Sequence, residues 1–136
     1  MTNPEIRRLE HELRQAQHAR AKAQEWINDH FSATARGSII ADIEYLRGRE
    51  RYFVDQINER KDRLRAARNE QQRHRLREDI SNIQHNLQTA KRNWEAARAR
   101  LSRYDANRRQ QVGKLQDAER KVRNIQDRLH RARNHR

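Results

Sequence analysis

Cysteine is absent from this 136-residue chain, which excludes disulfides and thiolate metal sites and fits an intracellular setting. One proline and three glycines leave few places where a helix must stop. Aromatic residues make up 5% of the chain and β-branched residues are scarce, so sheets lack their usual material. Apolar residues reach only 33%, too little for a thick globular core. No stretch approaches the roughly 18 apolar residues of a membrane span. The opening Met-Thr-Asn-Pro-Glu lacks the apolar segment of a signal peptide. These absences lead us to expect a soluble, unprocessed, cytoplasmic protein.

Charge fills the gap. Charged residues make up 38%, and with abundant Ala, Arg, Gln and Leu they favour long helices. A mean hydropathy of −1.45 would suit a disordered chain, but the few apolar residues recur at fixed spacing, which disordered tails lack.

A first helix, about residues 3–30, opens with Asn3 as N-cap, Pro4 at the first helical position and Glu5 in the first turn. Its apolar seam runs Ile6, Leu9, Leu13, Ala16, Ala23, Ile27, interrupted by Arg20 and His30. A second seam, in a helix of about 38–68, contains Ile39, Ile43, Leu46, Glu50, Phe53, Ile57, Arg60, Leu64 and Ala67. A third, in a helix of about 75–134, contains Leu76, Ile80, Ile83, Leu87, Ala90, Trp94, Ala97, Leu101 and Tyr104; after Arg108 and Gln111 it resumes at Leu115, Ala118, Val122, Ile125, Leu129 and Ala132. From His30 to Ile39, and from Ala67 to Leu76, the next seam residue comes nine positions on, which turns the stripe to the far side of a helix. The first break reads as a loop over 31–38, with Gly37 as a left-handed C-cap and Ser38 capping the next helix. The second reads as a turn over 69–75, marked by Asn69.

Folding back near residue 71 brings residue i opposite 143 − i and matches the seams: Ala67 with Leu76, Phe53 with Ala90, Leu46 with Ala97, Ile39 with Tyr104. Trp94 then falls opposite Arg49, where Gly48 would make room for the indole, and Gly113 opposite His30. The expected fold is all-α, one elongated antiparallel helical hairpin or coiled coil on the order of 90 Å long at about 1.5 Å per residue, its first arm interrupted near residues 31–38. Its seam contacts include Leu9, Leu13, Ile27, Ile43, Leu46, Phe53, Ile57, Leu87, Trp94, Leu101, Leu115, Val122 and Leu129. The alternative is a single helix from residue 38 that finds its partner in another copy.

Acidic residues lie mostly on polar helix faces, several with Arg or Lys four positions on, as in Glu10 with Arg14, Glu59 with Arg63 and Asp117 with Lys121, the pattern of solvated ion pairs. A catalytic carboxylate pair needs a concave, desolvated pocket that a two-helix ribbon does not offer, so neither an enzyme nor a small-molecule substrate or cofactor is expected. His11 and His18 stand seven apart and His130 and His135 five apart, and no His-x-x-x-His pair offers a metal two imidazoles on adjacent turns. Asn93-Trp-Glu-Ala-Ala-Arg-Ala-Arg-Leu101 resembles part of the basic region of leucine-zipper transcription factors, but its Arg comes one position early, Glu95 would face phosphate, and Trp94, Ala97 and Leu101 belong to the seam. Reading of base sequence is not expected.

Basic charge is unevenly placed. Residues 1–30 hold five basic and five acidic side chains, residues 31–75 eleven and seven, and residues 76–136 sixteen and seven. In the last segment Arg98, Arg100, Arg103, Arg108, Arg109 and Lys114 meet only Asp105, and Arg128, Arg131, Arg133 and Arg136 follow Asp127 unopposed. Guanidinium groups fork onto phosphate. Two readings follow: a nucleic-acid backbone binder without base preference, or an adaptor coiled coil docking on an acidic protein surface or on another copy, through the seams and Trp26, Trp94 and Tyr104. A membrane-surface role lacks the broad apolar face it needs. In length, hairpin seams and basicity the chain resembles the small basic stalk proteins of flagellar and type III secretion export ATPases. That resemblance implies an antiparallel helical hairpin and a protein partner, and carries no residue over.

Overall fold

A computed structural model describes residues 3–134. They form three helices: α1 Pro4–His30, α2 Ala33–Ala66 and α3 Glu70–Asn134. No strand occurs among the described residues. The fold is all-α, and the first arm of the antiparallel hairpin is interrupted inside the expected 31–38 stretch.

The interruption is shorter than the sequence suggests. Only Phe31 and Ser32 leave the helical conformation, so Gly37 and Ser38 lie inside α2. The cap is Ser32, whose Oγ accepts from the Ala35 N–H at 3.1 Å. Phe31 closes α1 by donating its N–H to the Ile27 carbonyl at 2.9 Å. No described glycine takes a positive φ, so Gly37 caps nothing in a left-handed form. A glycine inside a helix costs about 1 kcal/mol relative to Ala, a penalty that the rest of a 34-residue helix absorbs.

The turn is shorter too. Residues 67–69 are its only non-helical positions, so α2 stops at Ala66 and α3 starts at Glu70. Asn69 caps α3 through its Oδ1, which accepts from the Gln72 N–H at 2.8 Å. The Gln72 side chain reaches back to accept from the Arg68 N–H at 3.4 Å, a one-position variant of the capping box. Once Asn69 supplies the cap, the polar run 70–75 is ordinary helix.

The molecule divides into two compact units, residues 1–35 with 104–136, and residues 36–103. In the first, α1 pairs antiparallel with the last part of α3 around Leu9, Ala16, Val122, Ile125 and Leu129, with Ile6, Leu13 and Ala132 packed against them. Toward its other end, Tyr104 packs edge-on against Phe31 with ring centroids 5.2 Å apart, and its hydroxyl donates to the Ser32 carbonyl at 3.0 Å. The expected mirror put Ile39 opposite Tyr104; Ser32 holds that place, a displacement of seven positions (39 against 32).

In the second unit α2 turns back into α3, with Ile39, Phe53, Ile57, Ile80, Ala90 and Ala97 buried. Here the mirror is close. Arg100 reaches Asp42 at 3.9 Å, and Arg47 rather than Arg49 lies over the Trp94 ring. Gly48 makes no room for that indole, because a Cβ added there would meet nothing within 4 Å.

Candidate functional site

Every seam residue named above, from Leu9 to Leu129, is buried or half-buried. The polar seam positions differ: Arg20, His30 and Arg108 are exposed, while Glu50, Arg60 and Gln111 are half-buried. Arg60 shows how a guanidinium is kept at a seam. A terminal nitrogen bonds Gln56 and Glu59, and its Nε is buried without a hydrogen-bond partner.

The basic candidates all lie on α3 except Arg136, which falls outside the described residues. The structure sorts them. Arg98 lies 4.7 Å from the Trp94 ring centroid, and Arg47 lies 5.5 Å from it; both cations are within reach of attraction to the ring face. Arg100 faces Asp42. Arg133 pairs with Glu10 of α1 at 3.1 Å, so it is not unopposed, and Glu10 turns there rather than to Arg14. Asp117 likewise pairs with Arg120, whereas Glu59 and Arg63 pair as expected at 2.6 Å. Arg103, Arg108, Arg109, Lys114, Arg128 and Arg131 are exposed, and none forms an ion pair with a described residue.

The grooves between paired helices are open and shallow. One in the first unit is lined by Glu12, Ala16, Ala19, Asp117, Ala118 and Lys121, where small residues leave the helix surfaces uncovered. In the second unit a groove on one side of the pair is lined by Asp42, Tyr45, Leu46, Asn93, Ala96, Ala97, Arg100 and Arg103. Another is lined by Arg47, Glu50, Arg51, Val54, Asp55 and Trp94. No charged or polar residue is buried among the described residues, and no three His, Cys, Asp or Glu side chains gather there as a metal site would need. No described helix is long and apolar enough to cross a membrane.

No known family model, curated protein or solved structure matches the chain. The functional reading therefore rests on this surface.

Aromatic exposure adds residues that lie outside the seams. Tyr45 is 66% exposed, Tyr52 52% and Trp26 50%. Trp26 stacks on His30 with centroids 3.8 Å apart, and His30 Nδ1 donates to the Trp26 carbonyl at 3.0 Å, so its ring is occupied in closing α1. Tyr45 and Tyr52 are off the seam by the logic of the heptad: seven residues apart, they share a helix face that the partner helix does not cover. That spacing is readable in the sequence.

Proposed function

We propose that the protein binds the backbone of nucleic acid without reading base sequence and without catalysing a reaction. The observation that carries this is the sorting of arginines. Side chains that serve the fold have a carboxylate or a ring beside them, while Arg108, Arg109, Lys114, Arg128 and Arg131 of α3 stand exposed with no ion-pair partner among the described residues. Exposed guanidiniums on a rigid helix offer forked donors to phosphate at little cost in ordering. The shallow grooves and the absence of buried polar residues among those described support binding over catalysis.

Fluorescence anisotropy of a labelled random-sequence duplex across a salt series tests the reading. Affinity should fall steeply with salt. Replacing Arg108, Arg109 and Lys114 together by Gln should flatten the log–log slope by about 2.7, at about 0.9 for each phosphate no longer neutralised. Salt-insensitive binding, or a slope unchanged in the variant, would defeat the proposal in favour of docking on an acidic protein surface or a second copy.

A further inference from the structure

Tyr45 and Tyr52 are the two most exposed large apolar side chains among the described residues. They lie two turns apart on one face of α2, about 10.5 Å along its axis at about 1.5 Å per residue. An exposed tyrosine on a solvated helix gains nothing from the core, and a pair in one line presents two flat rings to the same occupant. Their surroundings are cationic. The Arg49 guanidinium lies 5.8 Å from the Tyr52 ring centroid and 4.6 Å from that of Phe53. Tyr45 borders the groove in which Arg100 and Arg103 stand beside Asn93 and Ala96. The one carboxylate lining that groove, Asp42, faces Arg100 at 3.9 Å.

We infer that this face of α2 is a stacking platform for single-stranded nucleic acid, with bases on Tyr45 and Tyr52 and phosphate on Arg103, the groove's guanidinium with no ion-pair partner among the described residues. The inference deepens the backbone-binding reading and rests on it. Exposed aromatic rings distinguish the strand from the duplex. Bases inside a duplex already stack on each other, whereas a single strand can turn its bases onto a protein ring, and rings alternating with cations are how sequence-tolerant strand binding is built. The rise of about 10.5 Å between the tyrosines equals about three base steps of about 3.4 Å, so one strand of a few nucleotides reaches both. Charge argues against an apolar occupant, because the Arg49 guanidinium lies over the Tyr52 ring and the groove beside Tyr45 holds Arg100 and Arg103 against one lining carboxylate, Asp42.

The test compares a labelled 20-mer of thymidine with a labelled duplex of the same length, using the whole chain at one salt concentration. The double variant Tyr45→Leu, Tyr52→Leu should lose at least about 25-fold in single-strand affinity, about fivefold per stacked base, while its duplex affinity stays within about twofold. Tyr45→Phe with Tyr52→Phe keeps the rings and should keep the affinity. Both positions are exposed, and circular dichroism confirms that each variant retains its helices. If the leucine variant binds the single strand as well as the parent, or loses strand and duplex equally, the platform is refuted and the backbone reading stands. If the parent protein binds neither probe, both fall together.

Discussion

Leu9 is 1% exposed and sits among Ala16, Val122, Ile125 and Leu129, so Leu9→Ala measures what holds α1 to the end of α3. The substitution removes three carbons from a fully buried position, worth about 2.4 kcal/mol at about 0.8 kcal/mol per methylene. A cavity term adds to this, but two helices can close together over a missing side chain more readily than a multilayer core can. The expected loss is therefore about 2.5–3.5 kcal/mol, near the low end for buried leucines. Urea unfolding followed by circular dichroism at several protein concentrations reads it, with a midpoint lowered by about 1–3 M for a slope of about 1–3 kcal/mol per molar. Val54→Ala is the control: Val54 is 38% exposed, and its truncation should cost well under 1 kcal/mol. A Leu9→Ala loss no larger than that of Val54→Ala would show that α1 is not held by this cluster, and the packing argument for the first unit would fail.

Two further outcomes test the backbone. Gly37 and Gly48 lie inside α2 with negative φ and nothing within 4 Å of an added Cβ, so Gly37→Ala and Gly48→Ala should each stabilise by about 1 kcal/mol in the same urea assay; destabilisation at Gly48 would restore the idea that it makes room for Trp94. Proline should be harmless at Ala33, the first position of α2, should lose the Ser32 cap bond at Ala35 for about 1 kcal/mol, and should cost about 3 kcal/mol or more at Ile83 inside α3. Helicity and melting temperature should fall in that order, and equal losses at all three positions would overturn the placement of the break.

What the sequence made legible followed from periodicity. The seams are written in steps of three and four, and those residues are buried or half-buried in the structure. The breaks are marked by phase changes, but a phase change shows where the apolar stripe rotates, not where backbone hydrogen bonding stops. That boundary belongs to the caps. Ser32 intercepts the chain six residues before Ser38 could, and Asn69 starts α3 where a polar run alone suggested a turn through residue 75. Partners across the helices were less legible. Glu10 has Arg14 one turn away on its own helix and still pairs with Arg133, 123 positions along the chain, a choice made by register and rotamer rather than by spacing. Tyr45 and Tyr52 stay hidden in a seam pattern because a heptad singles out the residues that face the partner helix and is silent about those that face away.

Net charge alone does not separate a solubilising surface from a binding one; the arrangement of like charges does. Exposed helix faces gain about 0.3–0.5 kcal/mol from each opposite pair three or four residues apart and lose similar amounts from each like pair. The chain uses the favourable form at Arg63 with Glu59, Arg65 with Asp62, Arg73 with Glu70 and Arg120 with Asp117. It sets the unfavourable form at Arg100 with Arg103 and at Arg128 with Arg131, three residues apart on exposed faces of α3. Solubility would be served as well by alternating signs. Adjacent guanidiniums become favourable only when an anion bridges them, and a phosphate backbone supplies anions in series along a line. Under the proposed function a polyanion would relieve the repulsion left in these pairs, which ties that proposal to the placement of individual arginines rather than to their number.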